Sequence, residues 1–94
     1  IPAFSKMLRA ITQKADVQYS ILMPGTVVKK GAVVAYAIVA EGAVIEAEAT
    51  VGAPPSDDPD WGIAVVAGGI NVGEKAVVKP SAMVRKNVKG GEQV

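Results

Sequence analysis

Large aliphatic residues recur along this chain with a period near six. They fall at Leu22, Val28 and Val34, then at Val39, Ile45 and Val51, then at Val66, Val72, Val78 and Val84. Two positions before most of them stands a small or β-branched residue: Thr26, Ala32, Ala43, Ala49, Ala76 and Ala82. Glycine often stands one position earlier still, at 25, 31, 42 and 69. A period of six is not the 3.6 of a helix, and Val, Ile and Gly are poor helix formers. It suits a chain that runs straight for a few residues, turns sharply and repeats. Each face then needs one bulky inward residue, a small residue where the backbone bends inward, and Gly or a polar residue at the turn. Three faces make one coil of about 18 residues, stacked on the next at the ~4.8 Å spacing of paired strands.

Internal repeats agree with this. Residues 19–34 (YSILMPGTVVKKGAVV) and 36–51 (YAIVAEGAVIEAEATV) match at a shift of 17, with identity at Tyr19/Tyr36, Ile21/Ile38, Gly25/Gly42, Val27/Val44, Ala32/Ala49 and Val34/Val51. A third copy, VVAGGINVGEKAVV at 65–78, puts Gly69, Val72, Ala76 and Val78 in the places of Gly25, Val28, Ala32 and Val34. The shift of 17 predicts a coil shortened by one residue between 34 and 39. A β-sandwich would need longer period-two runs and hairpin turns such as Asn-Gly, and neither occurs. The expected fold is therefore an all-β solenoid of about four to five coils.

The flanks depart from the pattern. Residues 1–16 read as a divergent first coil or a leader segment. Within them 5–15 (SKMLRAITQKA) fit a short helix capped by Ser5, or a coil in which Ile11, Ala15 and Val17 precede Val28, Ala32 and Val34 by 17. The domain proper is expected over 17–88. Ladder positions 51 and 66 are too far apart for one face, so 52–63 (GAPPSDDPDWGI), with three prolines and three aspartates, is predicted as a loop inserted at a corner. The ladder is expected to end after Val88, leaving 89–94 as a polar tail.

Composition narrows the chemistry. Ala and Val supply 31 of the 94 residues and Leu only two, a strand-building balance. There is no Cys, hence no disulfide and no thiolate, and no His, the commonest general base and metal ligand. A net charge of +1 and four aromatic residues argue against a nucleic-acid partner or an anionic membrane. No apolar run reaches the ~18 residues of a membrane span. No signal-peptide pattern is visible, so a cytoplasmic location is expected, and the start at Ile1 predicts a piece of a longer protein.

Few residues are candidates for a site. Asp57, Asp58 and Asp60 carry enough charge for Mg²⁺ or Ca²⁺, but Pro59 intervenes and Gly68 stands where a calcium loop from Asp57 would need Glu, which favours a solvated loop. Trp61 either anchors a subunit interface or pins the loop to the solenoid flank. Lys29, Lys30, Lys79, Arg85, Lys86 and Lys89 are corner and tail charges, or a set that meets a phosphorylated effector. Tyr19 and Tyr36 repeat in register and are expected to stack. "AGGINVG" at 67–73 has its glycines at the wrong offsets for a nucleotide loop. No catalytic, cofactor-binding or metal residue is assigned.

The hexads, each of the form aliphatic, polar, polar, Gly, Ala, Val, resemble the left-handed parallel β-helices of hexapeptide-repeat proteins. The sequence SILMPGTVVKKGAVV, then AIVAEGAVI, then an acidic Pro-rich loop returning through WGIAVVAGGINVGEKAVVKPSAMV, resembles more specifically the C-terminal domain of the glucose-1-phosphate adenylyltransferase (ADP-glucose pyrophosphorylase) family. The similarity is strongest to bacterial glycogen-synthesis subunits, the regulatory type foremost, and covers 17–88. Residues 1–16 match poorly, and Ser81 stands where Gly is commoner. The resemblance implies an oligomerisation and regulatory domain without catalytic residues. ATP and Mg²⁺ would be used by a separate N-terminal domain, and the partners would be that domain and sister subunits in a homo- or hetero-tetramer. Hexapeptide acyltransferases and γ-type carbonic anhydrases share this fold but rely on histidine, which this chain does not supply.

Overall fold

In the computed structural model, which describes residues 15–94, the chain winds as a three-faced β-helix. Eleven short strands follow in order: β1 (Asp16–Gln18), β2 (Ile21–Leu22), β3 (Val27–Val28), β4 (Val33–Ala35), β5 (Ala37–Val39), β6 (Val44–Ile45), β7 (Thr50–Val51), β8 (Ala64–Val66), β9 (Asn71–Val72), β10 (Val77–Val78) and β11 (Met83–Val84). Every third strand pairs in parallel with its counterpart in the next coil. The first sheet runs β1-β4-β7-β10, the second β2-β5-β8-β11 and the third β3-β6-β9. No helix is present among the described residues. The architecture is a left-handed parallel β-helix.

The hexad ladder is the core. Val28, Val34, Val39, Ile45, Val51, Val66, Val72 and Val78 are fully buried, and Leu22 and Val84 nearly so. Each sits over its counterpart: Leu22 pairs with Val39 and Val39 with Val66, Val28 with Ile45 and Ile45 with Val72, Val34 with Val51 and Val51 with Val78. These pairings show the 17-residue step and the shortened coil between 34 and 39. The small inward positions are buried too, at Ala32, Ala43, Ala49 and Ala76, while Ala82 is half-buried. Where such a position is polar it is satisfied. Ser20 Oγ donates to Gln18 O at 2.8 Å and accepts from Ala37 N at 3.2 Å, and Thr26 Oγ1 donates to Ala40 O at 3.2 Å.

Corners are where the backbone turns left-handed. Glycines occupy many of them, but Tyr19, Tyr36, Glu48, Lys75 and Ser81 also hold positive φ, between 47° and 70°. The residue at Ser81 thus takes the conformation that usually selects glycine. Gly52 cannot be replaced at its place: with φ 75°, a Cβ would overlap the Ala35 carbonyl oxygen.

Two flanking segments differ in what can be said of them. Most of 5–15 lies outside the described residues, so neither the helix nor the coil is decided there. From Ala15 onward the chain is on the ladder, with Val17 paired to Val34 and both Ala15 and Val17 packed on the core. At the other side the polar segment 89–94 keeps the coil instead of leaving it. Val88 bridges to Val72 and Gln93 to Val77, and Lys79 N donates to Val94 O at 2.8 Å. The step from Val84 to Val88 is two residues short of a hexad, which hides the register from a periodicity count. A left-handed corner at Gly91 restores it.

Candidate functional site

The inward residues are alike on all three sheets, so any functional distinction lies on the outer faces. Alternation turns the residues next to each buried aliphatic away from the core. On the second sheet the register aligns Ile21, Ile38, Val65 and Met83 in one outward row. Beside them run Met23, Ala40, Ala67 and Arg85, each following a buried ladder residue and held by cross-coil bonds such as Met23 N to Val39 O at 2.9 Å. Ile21 and Met83 are 49% and 59% exposed. Of these eight residues only Arg85 is charged.

One edge of this face is an aromatic corner. The Tyr19 and Tyr36 rings stack with centroids 5.0 Å apart, as their register predicts. Trp61 meets Tyr36 edge-on at 5.8 Å. Trp61 is also tied to the start of its own loop, its Nε1 donating to Ala53 O at 2.9 Å. It therefore pins segment 52–63 against the corner, while Ser81 Oγ donates to Asp60 O and Ser81 N donates to Gly62 O at 2.9 Å. Below Tyr36 in the same corner column stands Ile63, 43% exposed.

The other two outer faces are mixed. The third sheet exposes Val27, Val44 and Asn71, flanked by a polar link across coils: Lys29 Nζ lies 2.8 Å from Glu46 Oε1, and Asn71 Nδ2 donates to Glu46 Oε2 at 2.7 Å. Those contacts hold the Glu46 carboxyl below its ordinary pKa, the Lys29 hydrogen bond first and Asn71 second. On the first sheet Asp16 pairs in register with Val33, and Gln18 Nε2 donates to Asp16 Oδ1 at 3.0 Å.

The candidate residues of the loop and the basic set are not gathered into one site. Asp58 Oδ1 accepts from Asp60 N at 2.9 Å, closing a local turn. No group of three acidic, His or Cys side chains is placed to hold a metal among the described residues. Lys29 is engaged by Glu46, and Lys79 flanks a shallow hollow with Asp58, Asp60 and Trp61. Arg85 and Lys86 border a different hollow with Asn87 and Glu92. Lys30 lies beside Glu48 elsewhere. The outward row Ile21–Ile38–Val65–Met83 is the feature that counting the largest aliphatics misses. Its signal is present in the sequence one position before each inward residue of that sheet.

The profile of the family described as GlmU-like, C-terminal hexapeptide, matches residues 5–72. The chain belongs to this hexapeptide-repeat family. No curated protein and no solved structure was found to match it. As a GlmU-like hexapeptide domain it has the fold that the hexads imply, and the match covers strands β1 to β9, ending at Val72. The match is coarser than the resemblance of 17–88 to the adenylyltransferase domain and does not reach ADP-glucose specificity.

Proposed function

We propose that this domain is an assembly and regulatory β-helix of a sugar-nucleotide-forming nucleotidyltransferase, and specifically of a glucose-1-phosphate adenylyltransferase acting in glycogen synthesis. The observation that carries the assembly role is the outer face of the second sheet, apolar in seven of its eight positions while its neighbours are polar or mixed. Contiguous exposed apolar surface of this kind marks contact surfaces. The choice of enzyme rests on SILMPG at the start of the first repeat and on the loop that returns through GIAVV. In this reading ATP, glucose 1-phosphate and Mg²⁺ are handled by a separate domain, and this one contributes contacts to that domain and to sister subunits in the cytoplasm.

A hexapeptide acyltransferase is the second reading, since it shares the fold. The protein that carries this domain should release pyrophosphate from ATP in the presence of glucose 1-phosphate and Mg²⁺. Acyl transfer from an acyl-coenzyme A to a sugar phosphate, without pyrophosphate release, would favour the acyltransferase instead. The 94-residue chain by itself should form no ADP-glucose, and turnover by the purified chain would overturn the assembly role.

A further inference from the structure

We propose that Met83 is a site of reversible oxidation by hydrogen peroxide or an alkyl peroxide, with Arg85 as the residue that directs it. The described residues hold two methionines, Met23 and Met83, and both stand on the outer face of the second sheet. They are 40% and 59% exposed. The core cluster itself is built of Val, Ile, Leu and Ala and contains no sulfur. Among the described residues an oxidant therefore meets thioether sulfur on this face alone. Met83 stands in β11 and lines an open hollow of about 460 Å³ that Arg85, Lys86 and Asn87 also border. A molecule as small as a peroxide has access there without rearrangement of the fold.

Arg85 distinguishes the two sulfurs. Its Nη2 donates to Met83 Sδ at 3.1 Å. The extended backbone sets this contact, since residues 83 and 85 leave it on the same side. Val65 N to Ala82 O and Ala67 N to Val84 O, both 2.9 Å, hold that backbone on the coil before it. A thioether is a weak acceptor, so the bond contributes little in the reduced state. In the reaction a sulfur lone pair attacks one peroxide oxygen, and the S–O bond forms as the O–O bond breaks. Sulfur is oxidised by two electrons and the peroxide is reduced. The departing oxygen takes the proton of the transferred one and leaves as water, or as an alcohol from an alkyl peroxide. Negative charge gathers on oxygen along this path and remains in part on the sulfoxide. A guanidinium stabilises such an oxygen more strongly than it does the starting sulfur, and only a difference of that kind raises a rate. The contact also engages one of the two sulfur lone pairs and leaves the other to react, so one sulfoxide epimer is favoured. Epimer-specific sulfoxide reductases reverse the change. Oxidation thus places a polar oxygen in the outward row Ile21–Ile38–Val65–Met83 while the core stays as it was. Where this face serves the contacts proposed above, oxidation weakens them. That consequence rests on the assembly role, and the oxidation does not.

Limiting hydrogen peroxide added to the 94-residue chain, followed by peptide mass mapping over time, tests the site. Met23 in the same chain supplies the reference. Met83 should gain its oxygen several-fold faster than Met23, and one epimer-specific reductase should restore most of it. The oxidised chain should keep its circular dichroism spectrum and urea midpoint and leave a hydrophobic-interaction column earlier, an effect that Met83→Leu abolishes. Arg85→Leu should slow Met83 several-fold, leave Met23 unchanged and even out the two epimers. Arg85→Lys, which keeps the charge without the planar fork, should retain part of the rate. Unfolding in urea should bring Met83 and Met23 to one rate. Equal rates at Met83 in the parent and in Arg85→Leu overturn the role of Arg85. A Met23 that reacts first, or a preference for Met83 that persists in urea, overturns the site as one made by the fold. All of these are read on the chain alone, so their failure leaves the assembly role standing, and failure of the assembly role leaves the oxidation site standing.

Discussion

The second and third sheets share one core and present opposite surfaces. Val39 and Val66 behind the second sheet are as completely buried as Val28, Ile45 and Val72 behind the third. Outward, the second shows Ile21, Ile38, Val65 and Met83, whereas the third carries the Lys29–Glu46–Asn71 link. The fold is thus written in the inward positions and the proposed contact surface in the residues next to them. In a solenoid the two are separable, because each coil contacts only its neighbours and the inward and outward side chains of a strand lie on opposite faces.

The largest effect should appear where that separation predicts no difference between sheets. Ile45→Ala removes a fully buried side chain from the middle of the third sheet, with Val28 on one side and Val72 on the other. It should cost about 2–5 kcal/mol of unfolding free energy in urea titrations, the range for emptying a close-packed site. Val66→Ala behind the second sheet should cost somewhat less, about 2 kcal/mol, since fewer methyl groups leave the core. A tolerated change at either position would mean that the two sheets do not share a common core.

Ile38→Thr on the outer face of the second sheet should stay within about 0.5 kcal/mol of the parent, as surface changes usually do. Its effect belongs to the proposed subunit contacts instead. A large loss of stability there would show that the outward row supports the fold, and the contrast between the faces would lose its meaning.

The aromatic corner lies between these extremes. Trp61→Phe keeps a ring against Tyr36 and removes the hydrogen bond to Ala53 O. A loss of about 0.5–1.5 kcal/mol is expected from that bond. Faster proteolysis within 52–63 should accompany it, because the bond ties the loop's two ends together. Unchanged cleavage would mean that the Ser81 contacts alone hold the loop.

How much of this could be read from the chain follows from which positions repeat. The ladder from Leu22 to Val84, the glycine corners and the stacking of Tyr19 on Tyr36 all recur at one spacing, so a single sequence reveals them. The outward row of the second sheet was hidden for a physical reason. Val27, Val33, Val44 and Val77 are also aliphatic and half-exposed, on the other two sheets. Apolar character alone therefore does not mark a face, and only the stacking order brings Ile21, Ile38, Val65 and Met83 together. Trp61 was open to two roles because its partners, Tyr36 and Ala53, are set by the course of a loop with no period. The last coil escapes a periodicity count because the step from Val84 to Val88 is short and 89–94 is polar, while the cross-coil hydrogen bonds continue to Val94.

A small, pH-dependent effect tests the polar side of the comparison. Glu46 joins two coils on the third sheet, receiving Lys29 from one and Asn71 from the other. Its folded pKa lies below the ordinary 4.5 of a glutamate, chiefly through the Lys29 hydrogen bond. A depressed carboxylate pKa favours the folded state at pH above the unfolded value, and the benefit disappears as pH falls through the folded value. Lys29 is about half exposed and water screens the pair, so the contribution is at most about 1 kcal/mol. Glu46→Gln should therefore be slightly less stable than the parent at pH 7, and the gap should close below pH 4.5, where the parent's own carboxylate takes up its proton. Salt should close it in part even at pH 7. The same acidification should leave the outward row of the second sheet unaffected, since Ile21, Ile38, Val65 and Met83 have nothing to titrate. A Glu46→Gln gap that did not close on acidification would show that the Lys29–Glu46–Asn71 link contributes nothing to stability, and the third sheet's polar face would lose its structural role.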